Sequence, residues 1–430
     1  MTHLNPNPTD TSFPYILGWD SALESAFAPY RSAGLVPGRI ARVDRGLCDV
    51  LIADDQFADV VDINADVDIE TDAGTYGAAE AVTDRDGNAG GDADALPGVA
   101  ESRLELQVRE RRRKRLRVVR ADWSAIASSD PTRNPCTGDW AAVACALDDV
   151  VPPSAVGFTA VTTIRALLPR RTAVVRGSAG ERSDGQVLAA NVDYVLLGIS
   201  LAAKPDAGRL ERLLALAWES GACPVVVLTK ADAPHDPAWV DEVVALAPGV
   251  SVLVVSALTG AGMDELVALL GSGTAALLGQ SGVGKSTLTN ALAGSDVMAV
   301  ASTRSVDEKG RHTTTTRELI PLPSGGALID TPGLRSVGLF GGEAGVDQAF
   351  RDVLELAASC RFADCAHSSE PGCAVTEAVA VGALPQRRLD SYRRLLRENA
   401  WVASRSDARV AAERQREWKL RSRSSNPARP

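Results

Sequence analysis

The sequence lacks the long apolar runs of membrane proteins and the many paired cysteines that are typical of disulfide-rich secreted proteins. No stretch of its 430 residues approaches the length of a membrane-spanning helix. Residues 1–6 contain no basic region followed by an apolar core, so we expect no secretory signal. Seven cysteines are few and odd in number for this length, which argues against a disulfide framework. We therefore expect a cytoplasmic protein that does not bind a membrane.

A net positive charge, the usual mark of a nucleic-acid-binding chain, is also missing. The 45 basic and 55 acidic residues give a formal net charge of −10. The charge is spread unevenly, because residues 53–95 are acidic whereas residues 109–117 and the tail beyond Pro385 are rich in arginine. Two basic clusters in an acidic chain suggest local contacts with phosphate backbones. A solvated face is the alternative for either cluster alone.

The first part of the chain predicts a small β-barrel. With 45% hydrophobic and 23% charged residues, the composition is that of a soluble globular protein, and the length predicts roughly two to four domains. Short strands separated by turns predict a five-stranded OB-type barrel, a class that commonly binds oligonucleotides. The strand-like segments are 35–43, 47–51, 104–108, 116–119 and 140–146. Residues 72–97, rich in Gly, Ala and Asp, predict a disordered insertion in one barrel loop.

After about residue 190, buried strands alternate with helices. This alternation predicts a parallel α/β sheet, which binds ligands at the carboxyl ends of its strands. The predicted strands are 192–197, 224–228, 252–255, 275–278 and 327–330. The predicted helices are 210–217, 239–246, 263–270 and 288–292.

Residues 279–287, G-Q-S-G-V-G-K-S-T, satisfy the pattern G-x-x-x-x-G-K-[ST] between an apolar run and a helical segment. The glycines let backbone N–H groups surround a phosphate, and the helix N-terminus adds the positive end of its dipole. Lys285 is predicted to reach the terminal phosphates, and the Ser286 hydroxyl to bind Mg²⁺. A glycine-rich turn with an exposed lysine is the alternative. The pattern in this context indicates a nucleotide-binding protein.

Two further segments, each directly after a predicted strand, indicate that the base is guanine. In T-K-A-D, residues 229–232, the Asp232 carboxylate can accept hydrogen bonds from guanine N1–H and the 2-amino group, which adenine does not supply. The S-A-L segment, residues 256–258, offers a backbone N–H for the 6-oxygen. The residues predicted to bind the guanine nucleotide are Thr229, Lys230, Ala231, Asp232, Ser256, Ala257, Gly279, Gln280, Ser281, Gly282, Val283, Gly284, Lys285, Ser286, Thr287, Asp330 and Gly333.

The D-T-P-G segment, residues 330–333, and the threonine run 313–316 are predicted to sense the terminal phosphate. Asp330 supplies a carboxylate near Mg²⁺, and Gly333 a backbone N–H for the γ-phosphate. One threonine of the run is expected to complete the Mg²⁺ shell, and Thr314 is our choice. Leu334 stands where many GTPases carry a water-orienting glutamine. His312 is therefore the candidate catalytic group, because imidazole can polarise water near neutral pH. A histidine that only packs in the loop is the alternative.

The order of these segments is unusual. Small GTPases ordinarily carry the phosphate loop first and the base-recognition segments last, whereas this chain has T-K-A-D and S-A-L before the phosphate loop and D-T-P-G. The sheet can be the same while the chain termini are relocated, so the order predicts a circularly permuted GTPase. The segment that senses the γ-phosphate then leads directly into the C-terminal region.

A compact set of metal ligands follows in C-x₄-C-x-H-x₅-C, formed by Cys360, Cys365, His367 and Cys373. Three thiolates and one imidazole are a standard closed tetrahedral set for Zn²⁺, and a closed set predicts one structural ion. Three buried cysteines beside an unrelated histidine are the alternative.

With these residues, the chain resembles the RsgA (YjeQ/YloQ) family of GTPases that depend on the small ribosomal subunit. The match rests on the permuted order, on residues 279–287, 310–315 and 330–333, and on the four metal ligands with Glu370-Pro371-Gly372 before the last of them. It covers about residues 35–400. The resemblance implies an OB barrel, a permuted GTPase domain and a C-terminal zinc domain. It also implies late maturation of the small subunit through contact with 16S rRNA, hydrolysis stimulated by that subunit, and catalysis by the switch histidine.

Two departures from the family pattern are present. Thr229 replaces a more common asparagine whose amide ties this loop to the phosphate loop, so we expect weaker nucleotide binding. The acidic stretch 72–97 interrupts the barrel and would shield the neighbouring arginines from RNA.

The predicted domains are an N-terminal extension 1–34, the barrel 35–158, the GTPase domain 159–338, and a mostly helical zinc domain with a basic tail 339–430. We expect a monomer that binds GTP and GDP with Mg²⁺. A guanine-nucleotide-dependent scaffold with little turnover is the main alternative. A GTPase of the large subunit or an ATPase fits the motifs less well.

Overall fold

In the computed structural model of the chain, the N-terminal part folds around a closed five-stranded barrel. The described residues are 17–53, 116–145, 161–177, 185–298, 317–333, 338–340 and 343–406, with side chains to 402. The acidic stretch 72–97 and the predicted strand 104–108 lie outside them. The barrel strands are β1 Val36–Val43, β2 Leu47–Ala53, β3 Leu116–Asp122, β4 Trp140–Ala144 and β5 Thr163–Leu167.

The barrel closes in the order β1-β2-β3-β5-β4. Strands β1 and β4 pair antiparallel, whereas β3 and β5 run parallel. Alternate residues point inward and form one apolar core that includes Ile40, Val50 and Ile164. This confirms the OB-type barrel. Its last strand, β5, begins after residue 158, where the sequence analysis ends the barrel, because the short segment T-I-R-A-L has no strong alternation to mark it.

A helix that the sequence analysis did not predict covers one side of the barrel. It is α1, Ser21–Ser32, and it begins at Asp20, whose carboxylate accepts a hydrogen bond from the Leu23 N–H at 2.8 Å. Trp19, just before it, packs edge-on against Trp140 of β4 with ring centroids 4.8 Å apart. Phe27 of α1 is fully buried beside Trp19. Part of the predicted extension 1–34 is therefore fixed to the barrel.

The central part of the chain forms a six-stranded sheet in the order β10-β9-β8-β11-β13-β12. Only β12 runs antiparallel to its neighbour, so the five other strands bring their carboxyl ends to one edge. The strands are β8 Tyr194–Ser200, β9 Cys223–Thr229, β10 Ser251–Val254, β11 Thr274–Gly279, β12 Glu318–Pro321 and β13 Ala327–Asp330. The helices are α2 Ala207–Glu219, α3 Ala238–Leu246, α4 Met263–Leu270 and α5 Lys285–Ala293.

The permuted α/β domain is thus confirmed, and the predicted segments match these elements closely. A two-stranded hairpin that had no sequence signal precedes the sheet, formed by β6 Ala173–Gly177 and β7 Gly185–Ala190.

The barrel joins the sheet through a buried arginine. Arg39 of β1 donates one hydrogen bond to the Thr274 hydroxyl, at the start of β11, and another to the Asn191 carbonyl, both at 2.9 Å. Its guanidinium also lies 5.1 Å from the Trp140 ring centroid. The strand that carries the phosphate loop is therefore bonded at its other end to the barrel.

The C-terminal part is helical, as predicted. Its helices are α6 Ala344–Ala349, α7 Arg351–Ala357, α8 Ala374–Ala380 and α9 Gln386–Ser406. Arg388 of α9 lies over the Phe350 ring and donates to Asp352 and to Glu211 of α2. None of the helices within the described ranges is long and apolar enough to cross a membrane.

Candidate nucleotide site and metal cluster

The phosphate loop lies between β11, which is buried along its whole length, and the first turn of α5. Gly282 and Gly284 have φ angles of 84° and 97°, values that residues with a side chain rarely adopt. These angles let the chain turn tightly between β11 and the N-terminus of α5, a type of loop that suits a phosphate. Lys285 folds back over the loop, where its amine donates to the Gly279 and Gln280 carbonyls at 3.2 and 3.1 Å.

The base-recognition segment after β9 is tied directly to the phosphate loop. The Thr229 hydroxyl donates to the Val283 carbonyl at 2.5 Å, and the Lys230 amine donates to the Gly282 carbonyl at 2.7 Å. The shorter threonine side chain therefore still reaches the phosphate loop, and the weaker nucleotide binding expected from this residue stays a prediction. Two successive carbonyls of the phosphate loop are held by two successive residues of T-K-A-D.

A hydrogen bond from Ser256 orients the Asp232 carboxylate. The Ser256 hydroxyl donates to Asp232 Oδ1 at 2.6 Å, and this hydrogen bond holds the pKa of the carboxyl below its usual range. Ser256 is itself fixed by its N–H, which donates to the Ala261 carbonyl, and by its hydroxyl, which accepts from the Thr259 N–H. Asp232 remains exposed. An exposed, ionised and oriented carboxylate can accept two hydrogen bonds from a base.

Asp330, at the end of β13, carries an unsatisfied charge beside the phosphate loop. It is 2% exposed, and its Oδ1 atom has no hydrogen-bond partner among the described residues. Burial raises its pKa to about 6, although the Lys285 ammonium opposes the shift. Burial also lowers the pKa of Lys285. A buried carboxylate oxygen without a donor fits a hydrated Mg²⁺ ion, which would supply both charge and donors.

The rest of D-T-P-G packs directly on the phosphate loop. A side chain at Gly333 would approach the Ser281 nitrogen to 2.9 Å, so only glycine permits this contact. Thr331, which the sequence analysis did not single out, is fully buried and donates its hydroxyl proton to the Leu277 carbonyl of β11 at 2.7 Å. Its position between Asp330 and Gly333 was the only available signal. The segment is thus fixed against the phosphate loop and β11.

Three predictions concern residues outside the described ranges. These are the catalytic His312, the magnesium ligand Thr314 and the apolar Leu334. They stay predictions. All the other residues predicted to hold the nucleotide lie at the carboxyl edge of the sheet, in the last residues of its strands, in the loops that follow them or in the first turn of α5.

The four predicted metal ligands converge in the C-terminal part. One ligand atom from each of Cys360, Cys365, His367 and Cys373 lies within 4.8 Å of all the others. The Cys360 and Cys373 sulfurs are 3.8 Å apart, and His367 Nδ1 is 3.6 and 3.5 Å from them. A tetrahedral ion with metal–sulfur bonds of about 2.3 Å gives sulfur separations of about 3.8 Å and nitrogen–sulfur separations of about 3.5 Å. The cluster therefore fits one tetrahedral metal ion bound through Nδ1.

Neighbouring groups hold the ligands in place. The Glu370 carboxylate accepts from the N–H groups of Ala366, Ser368 and Ser369 at 3.1, 2.7 and 3.0 Å, which closes the loop between the second and last cysteines. The Cys373 sulfur begins α8 and accepts from the Thr376 N–H at 3.4 Å. These backbone hydrogen bonds hold the loop that carries the ligands in place.

Comparison with known proteins agrees with this geometry. Residues 167–340 match the RsgA GTPase family. The small ribosomal subunit biogenesis GTPase RsgA of Streptomyces avermitilis is 48% identical over 410 residues, with 94% of this chain and 90% of the relative covered. The Streptomyces coelicolor protein of the same name is 47% identical over 408 residues, with coverage of 94% and 91%. The crystal structure of YloQ, described as a circularly permuted GTPase, aligns with a TM-score of 0.48 at 22% identity, over 87% of this chain and 96% of that one. From its identity to relatives matched over nearly their whole length, the chain belongs to the RsgA family of GTPases.

Proposed function

We propose that the chain binds the small ribosomal subunit, acts in its late maturation and hydrolyses GTP to GDP and phosphate. We further propose that the subunit stimulates turnover and that hydrolysis is coupled to release. The names of the Streptomyces relatives support the process, since both are small ribosomal subunit biogenesis GTPases. The observation that carries the chemistry is the pair of hydrogen bonds from Thr229 and Lys230 to the phosphate loop, which joins base recognition and phosphate binding in one pocket.

The proposed roles of the site residues are as follows. Asp232 reads the guanine base, with Ser256 and Ala257 beside it. The loop from Gly279 to Thr287 surrounds the phosphates, and Gly333 contacts the γ-phosphate through its N–H. Ser286 and Thr314 are the proposed Mg²⁺ ligands, with Asp330 accepting from the ion's water. When bound, Mg²⁺ would neutralise charge on the phosphates. His312 is proposed to orient the attacking water and accept its proton.

The ion in the cysteine cluster is proposed to be Zn²⁺ with a structural role. Three thiolates and an imidazole in tetrahedral geometry suit this ion, and all four positions are filled by the protein. No position is left for a substrate. The thiolates favour binding of zinc over disulfide formation in the reducing cytoplasm, where we propose that the protein works.

We propose 16S rRNA as the direct partner, contacted by the barrel and the basic C-terminal tail, with the protein acting as a monomer. Arg117 is exposed on the barrel and supplies positive charge that suits phosphate backbones, and Arg42 and Arg120 lie nearby in ion pairs with Asp44. The four domains proposed from the sequence would divide this work into RNA binding, GTP hydrolysis and metal-stabilised docking.

The test is GTP hydrolysis by the purified protein alone, with small subunits and with large subunits. Stimulation by small subunits alone, lost in His312→Ala with GDP binding retained, supports the proposal. Tight GDP binding without stimulation by either particle favours the alternative, a guanine-nucleotide-dependent rRNA-binding scaffold. Stimulation by large subunits would contradict the proposed partner.

A further inference from the structure

The two segments proposed to hold the guanine base contain three side-chain hydrogen-bond donors, and all three already serve the protein. They are Thr229 and Lys230 of T-K-A-D, and Ser256 of S-A-L. Each makes a short hydrogen bond to another group of the site, at 2.5, 2.7 and 2.6 Å. The single proton of the Thr229 or Ser256 hydroxyl is therefore not available to a ligand unless that bond is broken, whereas the Lys230 ammonium keeps two further N–H groups.

Thr229 is the most constrained of the three. A hydroxyl has one proton, and that of Thr229 lies against two carbonyls, Val283 at 2.5 Å and Ile199 at 3.3 Å. The residue is only 5% exposed, so its side chain is enclosed by the groups that it binds. Toward a bound nucleotide this hydroxyl could only accept a hydrogen bond.

Lys230 and Ser256 are committed in other directions. The Lys230 amine is anchored to Gly282 of the phosphate loop, and its backbone has a φ of 60°, an uncommon conformation that fixes the direction in which the side chain leaves. The Ser256 proton is directed to the Asp232 carboxylate, and Ser256 is 1% exposed. Turning this hydroxyl toward a base would remove the bond that orients Asp232.

Guanine presents two kinds of hydrogen-bonding group to this pocket. Its N1–H and 2-amino groups are donors, whereas O6 and N7 are acceptors. Asp232 can take both donors, and the backbone N–H beside Ala257 can serve O6. N7 would need a further donor. The hydroxyls of Thr229 and Ser256 have no second proton, and the Lys230 amine, which keeps two further N–H groups, is held at the Gly282 carbonyl of the phosphate loop.

We propose that this protein recognises guanine through its N1, 2-amino and 6-oxo groups and leaves N7 unread, with Thr229 as the residue that determines this specificity. The inference rests on the proposed guanine site and deepens it. Guanine nucleotides that lack the N7 acceptor should therefore bind as well as the natural ones. An asparagine at position 229 would differ, because its amide has two N–H donors, one for Val283 and one to spare.

The test compares the dissociation constants of GDP and 7-deaza-GDP for the full-length protein, measured by calorimetry with Mg²⁺. 7-Deaza-GDP replaces N7 by C–H and keeps the other base groups. The two constants are expected to agree within about twofold, since no hydrogen bond is lost. In Thr229→Asn the preference for GDP is expected to rise by roughly two- to tenfold, the value of one neutral hydrogen bond.

Thr229→Val is the matched control, because it keeps the shape and removes the hydroxyl. It should weaken both nucleotides equally through loss of the tie to Val283. A wild-type preference for GDP of tenfold or more would overturn the inference, as would a Thr229→Asn variant with an unchanged ratio. If GDP does not bind, or ADP competes as well as GDP, the proposed guanine site fails and the inference fails with it.

Discussion

Among single residues of the site, Asp330 lies in an environment that disfavours its charged form, because it is buried and one of its carboxylate oxygens has no donor among the described residues. Because burial raises its pKa from 3.8 to about 6, the Asp330 carboxyl is mostly neutral below about pH 6 and mostly ionised above it. Ionising this buried group lowers the free energy of unfolding. The loss is absent below about pH 4 and complete above about pH 6. A Mg²⁺-bound nucleotide requires the charged form of Asp330. Near and below pH 6, binding should therefore release a proton from this carboxyl.

Nucleotide affinity in the presence of Mg²⁺ is therefore expected to fall as the pH drops through 6. The ionised fraction of a group with this pKa decreases roughly fourfold between pH 7 and pH 5.5, and the affinity should follow it. Titrations of a fluorescent GDP analogue across this range measure the effect. Asp330→Asn is the control, expected to bind weakly with a flat profile. A wild-type profile as flat as that of the variant would contradict the role of Asp330.

Asp232 offers a direct test of base identity. An Asp232→Asn variant replaces one acceptor by an N–H donor, which opposes the guanine 2-amino group but matches the 2-oxo group of xanthine. GDP affinity is expected to fall about 100-fold or more, and XDP affinity to rise in turn. Ser256→Ala is the comparison, because it loosens the carboxylate without changing its chemistry and should weaken GDP binding without favouring XDP. Equal losses for both nucleotides in Asp232→Asn would show that this residue does not contact the base.

At the scale of elements, the loop of the metal cluster depends on one carboxylate. The Glu370 carboxylate accepts hydrogen bonds from its own backbone N–H and from those of Ser368, Ala366 and Ser369. These bonds lower its pKa to about 2. Glu370→Ala should release the loop and reduce metal affinity by about 10- to 100-fold, as expected for loss of a group that supports metal ligands. Chelator competition followed by metal analysis measures this change.

Glu355→Ala is the matched control for Glu370. Glu355 is an exposed carboxylate on α7 that pairs only with Arg351, at 2.9 Å, four residues earlier on the same helix. Its loss should leave metal affinity unchanged. If both variants lose the ion equally, the loop does not depend on Glu370.

The elements that could be predicted from the sequence are those whose signals are local. β11 and α5 were recognisable because the phosphate loop must join a strand to a helix, and β8, β9 and β13 because each is a short run of apolar residues. α1 and the hairpin β6–β7 were missed. Phe27 of α1 packs on Trp19, and Trp19 packs on Trp140, which lies 121 positions later in the numbering. The sequence near α1 gives no sign of this contact.

Contacts between distant parts of the sequence explain the remaining misses in the site. The tie from Thr229 to Val283 spans 54 positions, and the bond from Arg39 to Thr274 spans 235. The sequence near Thr229 or Arg39 does not indicate which distant residue each of them binds. The motif showed which residues belong to the site, whereas the groups that hold them in place became visible only in the fold.

On the scale of the whole molecule, the α/β sheet is joined to the parts on either side of it in the sequence by buried charged groups. Arg39 links the barrel to β11 without a carboxylate partner within hydrogen-bonding distance, and burial lowers its pKa to about 9. Glu211 of α2, fully buried, links the sheet domain to α9 through Arg387 and Arg388 at 3.0 and 2.9 Å. Such groups favour one arrangement, because any other would leave the buried Arg39 donors without acceptors and the buried Glu211 carboxylate without its arginines.

The last prediction concerns the ion pairs between Glu211 of α2 and the arginines of α9. Glu211→Ala leaves the Arg388 guanidinium buried with Asp352 as its remaining carboxylate, and removal of one partner from a buried pair is strongly destabilising. We expect the thermal midpoint to fall by roughly 5–10 °C. Arg387→Ala removes a partner whose side chain is 47% exposed, so its midpoint should change by no more than about 2 °C. Differential scanning calorimetry of both variants measures the contrast. Equal shifts would mean that the ion pair with Arg388 does not hold α9 to the sheet domain, and that apolar contacts such as those of Phe350 do so instead.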